Sequence, residues 1–260
     1  MTMKIDYCVL DPTGNITILV DTPVPPGSMP FIAERLMEQE PSSEQVGFLS
    51  AGPDGSFALR MAGGEFCGNA SMCAAVLAAE KAGETICDTK LNVSGTCTPV
   101  PVRVEKKLDG SWIGSVIMPQ PVSFEEADLP EAGRLFVVRF SGIAHVILDK
   151  EMEKGTAEAL ARRWCSFLDA DALGLLFLNR EEGRLIPLVY VPAVDTLCWE
   201  NSCASGTAAA GVYLSFGLKE PLRISLSQPG GSLSINVSAE GTLTLTGAVK
   251  VLRHSSLALS

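Results

Sequence analysis

Basic charge is scarce in this sequence. Its 260 residues include 20 Lys and Arg against 30 Asp and Glu, which gives a formal net charge of −10. The few cations are scattered, and no segment carries a basic stripe. Because proteins hold nucleic-acid phosphates with clustered Lys and Arg, we expect no nucleic-acid partner.

Long apolar runs are also lacking. The segment "LIPLVYVPAV" is too short to cross a bilayer and is interrupted by proline, so it predicts a buried strand. Near the start of the chain, Lys4, Asp6 and Asp11 stand where a secretory signal would need unbroken apolar residues. We therefore expect no membrane segment, no signal peptide and a cytoplasmic location.

Metal-binding spacings are missing as well. The closest cysteine pairs are Cys67 with Cys73 and Cys198 with Cys203, and neither has the CxxC spacing of a zinc site. The two histidines lie in no ligand pattern. Eight cysteines in a chain of this length are too sparse for a disulfide-stapled domain. The sequence thus predicts free thiols and no metal.

What the sequence does contain is a cysteine-headed, alanine-rich segment that occurs twice. Cys67 opens "CGNASMCAAVLAAEKAG", and Cys203 opens "CASGTAAAGVYLSFG". Both segments predict helices with little polar surface, which indicates burial. A strand pair, a helix and further strands precede each segment, and strands follow it; in the first half a turn is expected at 51–55. This matched order indicates an internal duplication.

The duplication predicts an α+β fold with two pseudo-symmetric lobes. Each lobe would be a curved, mostly antiparallel sheet or barrel wrapped around its buried small-residue helix, with the active site in the cleft between the lobes. The Pro- and acid-rich stretch from Pro119 to Pro130 marks the expected boundary. The predicted lobes are 1–120, joined by about 250–260, and 121–249.

Both repeated cysteines are placed at a predicted helix N-terminus. The unpaired N–H groups and partial positive charge there attract anions and lower the pKa of a thiol. N–H groups of Gly68, Asn69, Ala204 and Ser205 could hold a carboxylate while the two sulfurs reach the adjacent carbon from opposite faces. That arrangement suits a racemase in which Cys67 and Cys203 alternate as base and acid, with an amino acid as substrate and no cofactor.

These motifs resemble a known group of enzymes. "CGN" at Cys67 and "CASGTAAA" at Cys203 are similar to the two cysteine motifs of the diaminopimelate epimerase-like superfamily, which includes proline racemases and phenazine-biosynthesis-type isomerases. The resemblance spans nearly the whole chain. It implies substrate contacts for Asn15, within "DPTGN", for Asn69, and for His145, within "SGIAHVILD".

Departures from the family pattern bear on the substrate. "CWENS" before Cys203 lacks the arginine that binds the distal end of diaminopimelate, so we expect a smaller or differently charged amino acid. "SSEQVGF" resembles a segment of the isomerase branch and of histidine racemases from metallophore pathways. Glu44 in that segment would contact the substrate's ammonium or imidazole, and Glu200 is a second candidate for the ammonium contact. Histidine is the first-choice substrate.

Three alternatives stay open at this point. The protein could be a diaminopimelate epimerase with an unusual distal pocket. It could be a phenazine-biosynthesis-type isomerase in which Glu44 moves a proton and the cysteines are incidental. It could also be a non-enzymatic protein that binds small carboxylates between two helix N-termini. Only the racemase and epimerase hypotheses require both sulfurs. A homodimer is expected in each case.

Overall fold

The computed structural model describes residues 3–51 and 57–259; the turn expected at 51–55 lies, after Ala51, outside them. The chain divides into two compact units, Met1–Ile117 with Thr246–Ser260, and Met118–Leu245. The sequence prediction had placed these divisions after residue 120 and before about residue 250. The last strand runs without interruption from Leu243 to Leu259, so no break in the sequence marks the second division.

The first unit is a closed barrel of eight strands. Their order around the barrel is β1-β2-β3-β4-β5-β6-β7-β16, and β16 pairs with β1 to close it. The strands are β1 Met3–Pro12, β2 Thr17–Val20, β3 Gln45–Ala51, β4 Phe57–Met61, β5 Ile86–Val93, β6 Val100–Lys106, β7 Trp112–Ile117 and β16 Leu243–Leu259. The β2–β3 and β4–β5 pairs are parallel.

Each parallel pair of the first unit is connected by a helix. Helix α1 (Met29–Gln39) connects β2 to β3 and buries Ile32, Ala33 and Leu36 in an apolar cluster with strand residues. Helix α2 (Gly68–Ala82) connects β4 to β5, and every residue from Gly68 to Leu77 is buried. Gly83, in the left-handed conformation at φ 70°, ends α2 at the residue expected from the sequence.

The second unit repeats the pairing of parallel strands across a helix. Its strands are β8 Ser123–Leu129, β9 Gly133–Phe140, β10 Ile143–Leu148, β11 Leu173–Asn179, β12 Arg184–Val191, β13 Thr196–Trp199, β14 Leu222–Gln228 and β15 Gly231–Val237. They run in the order β15-β14-β12-β11-β10-β9-β8, with β13 beside β12. Helix α3 (Lys154–Phe167) connects the parallel pair β10–β11. Between the parallel strands β12 and β14 the chain forms β13 and then α4 (Ala204–Ser215).

The two units therefore share one pattern of elements, as the duplication predicted. In each, an amphipathic helix packs on the sheet and a small-residue helix is buried: Leu160 and Trp164 of α3 pack with strand residues, whereas α4 is buried from Gly206 to Val212. Within 3–51 and 57–259, no helix is long and apolar enough to span a membrane.

Strand β8 is an element that the sequence pattern did not predict. Ser123–Leu129, within the stretch that marks the expected boundary between the lobes, pairs antiparallel with β9. Four of these seven residues are exposed, among them Glu125, Glu126 and Asp128. An exposed strand rich in acid lacks the apolar alternation by which strands are recognised, because its charges face solvent.

Candidate active site

Cys67 caps the N-terminus of α2. Its backbone is extended, at φ −132° and ψ 114°, and its Sγ accepts a hydrogen bond from Ala70 N at 3.4 Å. One turn further on, the buried Ser71 hydroxyl donates to the carbonyl oxygen of Cys67 at 2.7 Å. The sulfur is thereby fixed beside the first N–H groups of the helix, which have no intrahelical acceptors.

Cys203 caps α4 with the same geometry. Its φ and ψ are −122° and 113°, its Sγ accepts from Gly206 N at 3.3 Å, and the Thr207 hydroxyl donates to its carbonyl at 2.7 Å. Ser71 and Thr207 were not among the residues predicted from sequence, although both are hydroxyl residues four positions after a cysteine. Equal offsets and equal contacts show that the repeat preserves this local structure as well as the order of elements.

Gln228, at the end of β14, holds the second motif from outside the helix. Its side-chain oxygen accepts from Cys203 N at 2.9 Å, and its amide donates to the Thr207 hydroxyl at 2.8 Å. All three residues are buried. Gln228 follows Cys203 by 25 positions, so no local pattern in the sequence could assign it to this site.

Burial raises the pKa of the Cys203 thiol well above its usual range, since only 5% of the residue is exposed. The charge of Glu200 and its hydrogen bond with the thiol raise the pKa further, while donors from Ser205 and Gly206 lower it. The prediction of a lowered pKa is therefore wrong for Cys203. The helix N-terminus is outweighed by desolvation and by a neighbouring carboxylate, neither of which the sequence reveals.

Glu200→Gln should make Cys203 more reactive. Because the carboxylate raises the pKa of the thiol, the neutral amide should lower it and enlarge the thiolate fraction at any pH below that pKa. We expect alkylation of Cys203 by iodoacetamide at pH 8 to accelerate about tenfold, the factor that corresponds to one pKa unit. Mass spectrometry of the Cys203 peptide gives the rate, and the exposed Cys97 peptide is the internal control. An unchanged rate would show that Glu200 does not set the pKa of Cys203.

Three other cysteines differ from these two in position and surroundings. Burial raises the pKa of Cys8 to about 12, and it also raises the pKa of Cys73 and Cys165. Cys73 lies within α2 and is completely buried. These thiols have the properties of small apolar core residues.

His145 lies on β10, completely buried beneath the start of α4. Its Nε2 is 3.0 Å from the Ser205 hydroxyl, which in turn is 3.6 Å from Cys203 Sγ. Burial lowers the pKa of His145 to about 3, so the ring is neutral near pH 7. Of the predicted site residues, the second unit thus brings together Glu200, Cys203, Ser205 and His145.

In the first unit, the structure joins Asn15 directly to Glu44. The Asn15 amide donates to the Glu44 carboxylate, and its oxygen accepts from Gln45 Nε2 at 2.5 Å. Gln45 also donates to Thr17 Oγ1 at 2.8 Å. Asn15 follows the turn whose Gly14 has φ 89°, a conformation that favours glycine. Asn15 and Glu44 were predicted from separate motifs, and Gln45 was not among the predicted site residues.

The remaining predicted residues lie in the first turns of helices α2 and α4. Gly68 and Asn69 begin α2, Ala204 begins α4, and all three are buried. Within 3–51 and 57–259, no group of three or more His, Cys, Asp or Glu side chains is arranged to hold a metal ion.

Solved structures share this fold. A predicted epimerase from Pseudomonas aeruginosa superposes with a TM-score of 0.71 at 16% identity, covering 98% of this chain and 100% of that one. A probable proline racemase from Agrobacterium radiobacter K84 gives a TM-score of 0.70 at 14% identity, with coverage of 98% and 93%. At these identities the likeness establishes the α+β fold of the chain.

Sequence similarity assigns the family. A histidine racemase from Fusobacterium nucleatum subsp. nucleatum strain ATCC 23726 is 33% identical over 264 residues, and the match covers 97% of both chains. The family model described as "Histidine racemase CntK N-terminal domain" matches residues 4–254. The chain therefore belongs to the histidine racemase family.

Proposed function

We propose that this protein is a cofactor-independent racemase of histidine. The observation that carries the proposal is the duplicated helix cap at Cys67 and Cys203. Each sulfur accepts a hydrogen bond from the backbone N–H three residues later, and each cysteine carbonyl accepts one from a hydroxyl four residues later. Inversion at a carbon needs one group to remove a proton and another to return it, and two matched thiols meet that need.

In the proposed reaction, one cysteine is a thiolate and the other a thiol. The thiolate takes the Cα proton, and the C–H electron pair remains on Cα as a carbanion. The second thiol then gives its proton to the opposite face of Cα and becomes the thiolate. The product is the other enantiomer, and the two sulfurs have exchanged protonation states. Conversion of a product molecule in the reverse direction returns the enzyme to its starting form.

Stabilisation of the carbanion is the difficult part of this chemistry, because it lies beside a carboxylate. We assign that task to the N–H groups at the first turns of α2 and α4, which include those of Gly68, Asn69, Ala204 and Ser205. Helix geometry leaves such groups without intrahelical acceptors, and the helix dipole favours negative charge there. Small side chains let the substrate carboxylate approach the backbone closely.

Histidine is the proposed substrate for two reasons. The relative from F. nucleatum is described as a histidine racemase, and the segment before Cys203 lacks an arginine for a second carboxylate. We assign the contact with the substrate's cationic group to Glu44, which Asn15 and Gln45 hold in place. A cytoplasmic location and a homodimer stay predictions, and light scattering after size-exclusion chromatography decides the second.

The function is tested by incubating the purified protein in D₂O, without added cofactor, with a panel of L-amino acids that includes histidine and diaminopimelate. NMR and chiral chromatography should show deuterium at Cα of histidine together with D-histidine. Exchange confined to another member of the panel would overturn the substrate. No exchange with any member would overturn the reaction and favour an isomerase that uses Glu44.

A further inference from the structure

Beside Cys203, the structure places a continuous chain of polar groups that the racemase mechanism does not yet use. The Ser205 hydroxyl lies between His145 Nε2, at 3.0 Å, and Cys203 Sγ, at 3.6 Å. His145 is on β10, whereas Cys203 and Ser205 are at the start of α4. A histidine on a separate strand therefore contacts, through one hydroxyl, the sulfur of a cysteine that we assign to proton transfer.

The surroundings of His145 determine which nitrogen carries its proton. Nδ1 is buried without a hydrogen-bond partner among the described residues, and the ring lies against Gly174 of β11, where a Cβ would come within 2.2 Å of Nδ1. A buried N–H without an acceptor is rarer than an unpaired acceptor. The proton therefore belongs on Nε2, and Nε2–H donates to the Ser205 oxygen.

This tautomer also orients the Ser205 hydroxyl. Because the oxygen accepts from His145, its own hydrogen is directed to another acceptor, and Cys203 Sγ is the acceptor within reach. Two titratable groups act on the sulfur: Glu200 by direct contact and the neutral His145 through Ser205. The carboxylate favours the thiol form, and the hydroxyl donor favours the thiolate.

We infer that Ser205 is a positioning residue that stabilises the Cys203 thiolate, and that His145, held in place by Gly174, orients it for this task. His145 thereby acts on the reaction through Ser205 and not as a ligand of the substrate. The inference rests on the proposed function only where it gives Cys203 an acid–base role. The reactivity of the sulfur can be measured without any substrate.

The test measures how fast iodoacetamide alkylates Cys203 between pH 6 and 10, by mass spectrometry, in the full-length protein. Ser205→Ala should slow alkylation at pH 8 about tenfold and move the midpoint of the pH profile upward, because the thiolate loses a donor. Ser205→Thr keeps the hydroxyl and should retain the wild-type profile. Since alanine is smaller than serine, improved access to the sulfur would have the opposite effect on the rate.

Two further variants test the part played by His145. His145→Phe keeps a buried ring but removes the Nε2 donor, and it should slow alkylation as Ser205→Ala does. Gly174→Ala should give the same change, because its Cβ displaces the ring. Wild-type profiles for Ser205→Ala would overturn the inference. Slow alkylation in Ser205→Ala with a wild-type profile in His145→Phe would overturn the role of His145.

Racemisation measured on the same variants separates this inference from the proposed function. If wild-type protein racemises histidine and Ser205→Ala alkylates at the wild-type rate, the inference fails and the proposed function stands. If neither the wild-type protein nor any variant racemises histidine, but the alkylation profiles shift as expected, the role of Ser205 and His145 stands and the proposed function fails.

Discussion

Replacing either Cys67 or Cys203 by serine should reduce racemisation of histidine by about 10³-fold, within the range by which general acid–base catalysis accelerates reactions. Serine is the informative substitution because it is a preferred N-cap residue and can accept the N–H bonds that Ala70 and Gly206 now donate to sulfur. The helices should therefore keep their first turns while each variant loses one acid–base group. Racemisation is measured as the rate at which the circular dichroism signal of L-histidine, or of D-histidine, changes after the enzyme is added.

The two variants should also differ from each other. In the two-base mechanism each cysteine acts on one face of Cα, so a variant with one cysteine can still remove a proton and return deuterium to the same face. Cys203→Ser should thus wash deuterium into one enantiomer of histidine without inversion, and Cys67→Ser into the other. Exchange of the same enantiomer by both variants would contradict the assignment of opposite faces.

Cys97→Ser provides the control. This cysteine is exposed and belongs to the same unit as Cys67, but it lies outside helix α2. Full activity in Cys97→Ser would show that the loss of racemisation in the other two variants is specific to those cysteines and is not a general effect of removing a thiol. Full racemisation by either Cys67→Ser or Cys203→Ser would exclude the two-cysteine mechanism.

The parts of this fold that could be predicted from sequence are those encoded locally. Alanine-rich periodicity and a terminal glycine identified α2, and the matched order of elements identified two similar units. Strand β8 was missed because its glutamates face solvent, and no local feature marks the division before Thr246 because β16 continues through it. Local patterns thus give helices and repeats, whereas strand pairing at an exposed edge depends on distant partners.

The site shows the same limit. Cys67 and Cys203 could be identified because each starts a motif, but Gln228 and Gly174 reach Cys203 and His145 only through the fold. The pKa of Cys203 was expected to be lowered but is raised, because burial depends on the tertiary structure. Sequence therefore identified the candidate acid–base groups, and structure was needed for the groups that set their reactivity.

Glu44→Gln should lower kcat/KM for histidine by about 100-fold. The amide keeps the size of the side chain and can still accept from Asn15, so the network through Gln45 and Thr17 is retained while the negative charge is lost. A hydrogen bond with a charged group contributes up to about 3 kcal/mol, which corresponds to that factor. Glu34→Gln, at an exposed position of α1, removes one charge elsewhere in the same unit and should have wild-type kinetics.

The pH dependence of this loss identifies the group that Glu44 binds. An imidazolium deprotonates near pH 6.5, so a contact with the substrate's side chain would make the variant most defective below that pH and nearly normal at pH 8. An ammonium remains charged from pH 5.5 to 7, and a contact with it would give a constant defect over this range. Equal kcat/KM for Glu44→Gln and wild type throughout would show that the carboxylate does not contact the substrate.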